Sequence, residues 1–192
     1  MAVTRIQSPL DEKTVRRLKC GERVLVSGLI VTGRDQAHAY LASGAEPPID
    51  LAGMVLYHCG PVAVQDVQGW RVTAAGPTTS LREEPYQAGL IERFRIGAVM
   101  GKGGMGPATL QALQAYGCVY LHVTGGAAQY LARCIRAVKE VHLLERFGQP
   151  EAMWVLEVRD LPSLVTMDSH GESLHAAVEQ ESARNFKALL GG

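Results

Sequence analysis

The sequence lacks the features that mark metal-binding, secreted or membrane-spanning proteins. Its four cysteines, Cys20, Cys59, Cys118 and Cys134, form no CxxC pair, which excludes zinc-ribbon and ferredoxin-type motifs in this chain. No apolar run approaches the length of a membrane span, and the first residues are too mixed and polar for a signal peptide. We therefore expect a protein of the reducing cytoplasm that uses no metal ligands of its own and no membrane.

Net charge is also absent. Lys and Arg number 19, as do Asp and Glu, so no global field attracts nucleic acid, and no nucleic-acid partner is expected. Acidic residues are missing from Arg93 to Lys139, a stretch of 47 residues that holds six basic ones. Two interpretations remain open. Either burial excludes charge there, or carboxylates are kept away from an anion site, where they would repel the substrate.

The chain of 192 residues, 47% of them hydrophobic, predicts a single domain over residues 1–192. Apolar runs and helix signals alternate along its length. Strands are predicted at 23–31, 54–57, 71–75, 97–100, 118–123, 153–158 and 163–167, and helices at 34–43, 84–94, 107–116, 125–136 and 172–190. This alternation is typical of an α/β fold with a largely parallel or mixed sheet flanked by helices.

Three short polar segments are the most informative feature that is present. They are 32–38 (Thr-Gly-Arg-Asp-Gln-Ala-His), 76–82 (Gly-Pro-Thr-Thr-Ser-Leu-Arg) and 101–106 (Gly-Lys-Gly-Gly-Met-Gly). Each combines glycine, which lets backbone approach a ligand, with a cation that can hold an anion. Each also follows a predicted strand, where open α/β sheets bind ligands. The sequence therefore predicts an anion site, with a carboxylate as the first candidate ligand.

Residue spacing within these segments supports that prediction. Arg34 and His38 lie four apart on a predicted helix and share a face, and Thr79 and Arg82 lie three apart, so a hydroxyl and a guanidinium can face one ligand. Arginine can hold a carboxylate through two parallel hydrogen bonds. Lys102, between two glycines, is a second anchor. The alternative interpretation of segments 32–38 and 76–82 is an ordinary helix start with a solvated charge.

Nucleotide binding is the main competing interpretation of the glycine-rich segment. A P-loop is excluded, because Gly97 and Gly101 are too close together and Gly103 follows Lys102 where Ser or Thr is required. Glycines 101, 103 and 106 do fit G-x-G-x-x-G, but no acidic residue follows about 20 positions later. A non-catalytic anion- or nucleotide-binding module therefore stays open as an alternative.

Together the three segments resemble the β subunit, or C-terminal domain, of the iron–sulfur hydro-lyases, a family that contains class I fumarate hydratase and L(+)-tartrate dehydratase. The resemblance extends from about residue 21 to about residue 174 and includes segments 57–61 and 165–171. It implies a swivelling β/β/α fold. It also implies a partner α subunit, or a fused N-terminal domain, whose cysteines hold a 4Fe–4S cluster, in an α2β2 heterotetramer. The cluster's open iron would act as a Lewis acid on the substrate.

The resemblance also implies roles for individual residues. The substrate-binding set is Arg34, Thr78, Arg82, Lys102, Gly101 and Gly103. Asp35 and His38 would form a proton-transfer or orienting pair, and Thr79 would accept a proton. Because an alcohol is a poor base unless nearby cations lower its pKa, the base assignment stays open between Thr79 and His38. No role is predicted for the other histidines, His58, His122, His142, His170 and His175.

The function that follows from the resemblance is reversible hydration of fumarate to malate by a β subunit that is active only with its α subunit. Dehydration of L-tartrate to oxaloacetate is the alternative, since both substrates are C4 dicarboxylates and these motifs do not discriminate between them.

Overall fold

The computed structural model describes residues 3–190. Its strands are β1 (Val3–Ser8), β2 (Arg23–Thr32), β3 (Val55–Tyr57), β4 (Val62–Asp66), β5 (Gly69–Ala74), β6 (Ala98–Gly101), β7 (Val119–His122), β8 (Ile135–His142) and β9 (Met153–Met167). Its helices are α1 (Glu12–Val15), α2 (Asp35–Ala42), α3 (Glu84–Phe94), α4 (Pro107–Tyr116), α5 (Ala128–Ala132), α6 (Leu144–Phe147) and α7 (Leu174–Leu190), with a 3₁₀ turn at Ser80–Glu83.

The main sheet is mixed and closes on itself. Strands β2, β3, β6 and β7 are parallel neighbours, and β1 pairs in parallel with the first half of β2. Strand β9 runs antiparallel and is long enough to pair with β2, β7 and β8. Because β9 joins β2 to β7, five strands form a ring, and β4 and β5 make a separate hairpin.

Alternation along the short parallel strands sends side chains into two cores, as the period of a pleated strand requires. In β3, Val55 and Tyr57 enter one core while Leu56 enters the other. The first core also receives side chains of β8, β9 and the β4–β5 hairpin. The second lies under helices α2, α3 and α4, which contribute Leu41, Ile91 and others. The prediction of a mixed α/β fold with a helix-flanked sheet is confirmed.

Two element predictions are wrong in the second half of the chain. The helix predicted over 125–136 ends at Ala132, and the residues that follow form β8 along one edge of β9. Pairing with β9 satisfies their backbone groups, and Ile135 and Val138 pack on the first core. The strands predicted at 153–158 and 163–167 are one continuous strand, β9, which turns through Asp160 with a φ of 51°.

Strands β1 and β4 and the short helices α1 and α6 were not predicted. Among residues 3–190, no helix combines the length and the apolar character needed to cross a bilayer.

Candidate active site

The polar segments meet at one edge of the sheet. Arg34 lies two residues beyond β2, His58 directly follows β3, and Lys102 directly follows β6. Since these three strands are parallel neighbours, their carboxyl ends lie side by side. This is the edge at which α/β sheets bind ligands, because no side chain of the sheet core fills the crevice beyond the strand ends.

Backbone hydrogen bonds join segments 76–82 and 101–106. Thr79 and Lys102 form a parallel β-bridge. Around it, Ser80 N donates to Lys102 O at 2.9 Å and Lys102 N donates to Thr78 O at 3.2 Å. Thr78 N donates to His58 O at 2.7 Å, which connects the pair to the end of β3. The threonines and the lysine are therefore held on one rigid backbone surface, with Thr79 exposed and Thr78 half-buried.

Two glycines are required by close packing at this edge. A Cβ on Gly101 would overlap the Oγ of Ser80 and would lie 3.2 Å from the Cβ of His58. A Cβ on Gly60 would lie 2.9 Å from the Nη1 atom of Arg34. Glycine is used at both positions because the neighbouring chain leaves no room for a side chain.

The two arginines of the predicted substrate-binding set already have carboxylate partners. Arg82 donates from Nε and Nη2 to the two carboxylate oxygens of Asp35, at 3.3 and 2.5 Å. The Nε of Arg34 lies 3.4 Å from Glu151 Oε1, and its Nη2 lies 3.8 Å from Asp35 Oδ2. The hydrogen bonds from Arg82 lower the pKa of the Asp35 carboxyl. An incoming carboxylate therefore competes with Asp35 for Arg82.

Lys102 differs from the arginines, because it makes no ion pair within the part of the chain that the structure describes. Its stem lies against Gly125, where an added Cβ would be 3.4 Å from the lysine Cδ. Gly103, with a φ of 86°, turns the chain directly after it. A groove of about 870 Å³ bordered by Gly103 and His122 opens next to this turn. An anion that binds Lys102 therefore need not displace a carboxylate of the described residues.

His38 and His58 form a buried polar cluster beneath this surface. Both side chains are 1% exposed or less, and their rings meet edge to face with centroids 5.0 Å apart. The end of the Gln87 amide lies 3.1 Å from His38 Nε2 and 2.9 Å from His58 Nε2. Burial lowers the pKa of both imidazoles, so both are neutral at neutral pH.

The tautomer of His38 follows from the hydrogen-bond partners of its ring nitrogens. His38 Nδ1 lies 2.9 Å from the carbonyl oxygen of Arg34, so that nitrogen carries the hydrogen and Nε2 accepts. The Gln87 atom placed toward both Nε2 atoms is Oε1, so an accepting His38 Nε2 requires the amide to be turned with its NH2 group toward the rings, an orientation that is assigned from hydrogen bonding. Both ring nitrogens of His38 are therefore engaged inside the protein. The exposed hydroxyl of Thr79 has no such constraint, and the predicted Asp35–His38 pair stays a prediction.

Glu83 is the third buried titratable group. Its side chain is fully buried, and its Oε2 lies 3.6 Å from His38 Nδ1. Burial, with the Asp35 carboxylate as a second cause, raises the pKa of the Glu83 carboxyl to about 8. We do not treat the Glu83–His38 contact as an ion pair, because burial shifts both pKa values toward the neutral forms and Nδ1–H already donates to a closer carbonyl.

Four residues of the cluster were missed by the sequence analysis: His58, Glu83, Gln87 and Glu151. Glu83 and Gln87 are four apart at the start of a helix and so share one face, which is the one local signal in the sequence, although it does not show that this face is buried. His58 belongs to a motif that was seen but given no role. Glu151 comes from the turn before β9, about 115 positions from its partners Arg34 and Gln36, so no local pattern reveals it.

The cysteines do not converge within residues 3–190. All four are free, and Cys59 and Cys118 are buried in the core. Burial raises the pKa of the Cys59 thiol to about 12, which opposes the thiolate form that metals bind. In the described residues no three Cys, His, Asp or Glu side chains come together to hold a metal. These residues do not fit an iron–sulfur cluster.

The fold and this edge define a class: an α/β domain that presents arginines, a lysine and threonine hydroxyls at the carboxyl ends of parallel strands. Residues 2–178 match the family described as Fumarase C-terminus. The chain belongs to this family, and the resemblance inferred from the three segments is confirmed.

Named relatives fall into two groups. The chain is 56% identical over 181 residues to a class I fumarate hydratase of Geobacillus stearothermophilus, covering 94% of this chain but 35% of that protein. It is 38% identical over 187 residues to an L(+)-tartrate dehydratase subunit beta of Methanocaldococcus jannaschii, covering 95% and 96%. With the L(+)-tartrate dehydratase subunit beta of Escherichia coli it shares 33% over 173 residues, covering 89% and 86%.

Proposed function

We propose that this chain is the β subunit of a hydro-lyase that reversibly hydrates fumarate to malate. The observation that carries the proposal is the Thr79–Lys102 bridge, which holds on one surface an exposed hydroxyl and an ammonium group with no ion pair among residues 3–190, next to the turn that carries Arg82. A C4 dicarboxylate needs cations for both of its ends and a proton-handling group between them. This edge offers those groups together.

The cations have a task beyond binding. Removal of a proton from the carbon next to a carboxylate builds an aci-carboxylate with additional negative charge, and cations fixed in advance stabilise it. Lys102 is the cation free to do this without first leaving a carboxylate. Arg34, held over Gly60 and next to Glu151, is the second. Arg82 would join them by exchanging Asp35 for a substrate carboxylate.

Thr79 is the preferred proton acceptor in this proposal. It is exposed at the edge and joined by backbone to Lys102, whose charge favours loss of a proton from a neighbouring hydroxyl. His38 would have to break a buried hydrogen bond to take part, because Arg34 O and Gln87 occupy both of its nitrogens. We assign His38 to orienting the start of α2.

Fumarate is the first substrate candidate because the similarity is higher to the fumarate hydratase of G. stearothermophilus than to the tartrate dehydratase subunits. L-Tartrate is the second. The names of the tartrate dehydratase relatives, "subunit beta", support a partner α subunit for this chain. We propose that this partner carries the 4Fe–4S cluster and that the two chains form an α2β2 heterotetramer.

The experiment is an anaerobic assay of the complex with its cluster intact, comparing fumarate, malate and L-tartrate for wild type and Lys102→Met. We expect turnover only when both chains are present. Loss of one cation at the transition state costs about 2–4 kcal/mol, a decrease in kcat/KM of about 30- to 10³-fold. Lys139→Met is the matched control, since Lys139 is a half-exposed lysine paired with Glu157 on β8 and β9, and it should leave kcat/KM unchanged.

Equal activity of Lys102→Met and Lys139→Met would contradict the proposed site. Absence of turnover on all three substrates, with a spectroscopically intact cluster, would contradict the proposed function. In that case, dicarboxylate or nucleotide binding by this chain alone, measured by calorimetry, would favour the non-catalytic module.

A further inference from the structure

Glu83 is a buried carboxyl group that the proposed function does not use. It lies in the 3₁₀ turn Ser80–Glu83, directly after Arg82, and faces inward while Arg82 faces solvent. Groups from several elements surround it. Asp35 and His38 come from α2, Arg82 from its own turn, and Glu151 from the turn before β9.

The surroundings of Glu83 favour a protonated side chain. Written as a carboxylate, neither of its buried oxygens has a donor among residues 3–190. Asp35 is the nearby carboxylate that contributes to the raised pKa of Glu83, and two carboxylates cannot hydrogen-bond to each other without a proton between them. The proton belongs on Glu83, because Asp35 is partly exposed and already accepts two hydrogen bonds from Arg82. With that proton in place, one of the two Glu83 oxygens becomes a hydrogen-bond donor.

The protonation of Glu83 decides the net charge of the site. Three cations and two carboxylates lie at this edge: Arg34, Arg82 and Lys102, and Asp35 and Glu151. The buried imidazoles of His38 and His58 are neutral. With Glu83 neutral the sum is one positive charge, and with Glu83 ionised it is zero. A dianionic ligand is therefore attracted to the first state and gains nothing from the second.

We propose that Glu83 is a positioning residue that stays protonated in the resting site, donates a hydrogen bond to Asp35, and thereby preserves the positive charge that attracts the dicarboxylate. This inference rests on the proposed function for its substrate. Glu83 acts through Asp35 and Arg82 and does not touch the ligand. Its ionisation would add a carboxylate beside Asp35 and Glu151 and would draw Arg82 and Arg34 inward, away from the substrate.

The test compares the pH dependence of KM and kcat in the assembled enzyme for wild type, Glu83→Gln and Glu46→Gln. We expect the wild-type KM for fumarate or malate to rise about three- to tenfold as the pH passes through about 8, since one nearby charge is lost. Glu83→Gln keeps a donor toward Asp35 and cannot ionise, so its KM should stay flat over that range. Glu46, 84% exposed and paired with Arg93, is the matched control and should keep the wild-type profile.

A second readout does not need turnover. Infrared difference spectra of wild type minus Glu83→Gln should contain the C=O band of a protonated carboxyl at pH 7, and the band should disappear by pH 9. Absence of that band at pH 7, or an identical KM profile in wild type and Glu83→Gln, would overturn the inference. Failure of the proposed function is a different result, namely no turnover by wild type, and the infrared measurement then still decides whether Glu83 holds the proton.

Discussion

At the scale of single residues, Gly101 is the position at which packing and site geometry meet. Its missing side chain leaves space for Ser80, whose hydroxyl is fixed by a hydrogen bond from Tyr120 at 2.8 Å. We predict that Gly101→Ala lowers the free energy of unfolding by about 1–3 kcal/mol, because the overlap cannot be relieved by a flexible chain end. Urea unfolding measures the change.

Gly89→Ala is the control for that substitution. Gly89 lies on the exposed side of α3, and a Cβ there meets no heavy atom within 4 Å. Because alanine favours a helix over glycine by about 0.8–1 kcal/mol, this variant should gain stability. If Gly101→Ala were as stable as Gly89→Ala, the close approach of Ser80 would not be a real constraint.

Residue chemistry also sets how far the site could be predicted. Arginine, lysine and threonine in glycine-rich segments can be recognised as candidate site residues, because the pattern that marks them lies within a few positions in the sequence. Glu83 and Gln87 do not, because a carboxyl and an amide at a helix start are typical of an ordinary solvated N-terminus. Their burial depends on α2 packing across them, which no local pattern contains.

At the scale of elements, Glu84 ties the start of α3 to the start of α4. Its carboxylate accepts hydrogen bonds from Gly106 N at 2.8 Å, Thr109 N at 3.1 Å and Thr109 Oγ1 at 2.6 Å. It therefore caps a helix N-terminus from another element, at the end that favours a negative charge. We predict that Glu84→Ala costs about 1–2 kcal/mol of stability.

Chemical denaturation of Glu84→Ala and of Glu179→Ala provides the comparison. Glu179 is an exposed residue of α7, so its replacement should change stability by less than about 0.5 kcal/mol. Equal effects of the two variants would mean that the capping bonds contribute nothing. A lower affinity for dicarboxylate in Glu84→Ala would in addition indicate that the 101–106 loop needs this anchor.

Elements formed by local pattern were predicted well, and elements formed by distant pairing were not. Helix α4 was predicted at its observed bounds, since proline begins it and glycine follows its end. The start of strand β8 was included in the helix predicted over 125–136, and the rest of the strand was not predicted. Its state is decided by β9, which lies next to it only after the chain has turned through α6.

At the scale of the whole molecule, closure of the sheet by β9 could not be predicted from the sequence. An alternating α/β pattern is compatible with an open sheet, and nothing local indicates that one strand pairs with both β2 and β7. Closure fixes the parallel strands between β2 and β7, and the polar segments at their carboxyl ends are held together as a result. The position of the site at this edge thus follows from the sheet topology, whereas the side chains at the site come from three short segments.

The pH dependence of folding is a further whole-molecule property. The pKa of Glu83 in the folded chain, about 8, lies above its ordinary value of 4.5. Between these values the native state keeps a proton that the unfolded state has lost, so stability falls as the pH rises. The buried imidazoles of His38 and His58 act in the opposite direction. Because burial lowers their pKa values, their effect is a loss of stability as the pH falls below about 6.5.

We therefore predict greatest stability near pH 6.5 and a decrease of about 1 kcal/mol from there to pH 8, because the linkage of 1.36 kcal/mol per pH unit weakens as the pH approaches the pKa of Glu83 and the histidines partly offset it. Glu83→Gln removes the titrating carboxyl group and leaves both histidines in place. Its stability should not decrease from pH 6.5 to 8 and should still fall below pH 6.5, where the histidines become protonated in the unfolded chain. Urea unfolding midpoints at pH 5.5, 6.5 and 8 measure the change in stability on both sides of pH 6.5. Parallel curves for the two proteins on the alkaline side would show that Glu83 is already ionised in the folded chain at neutral pH.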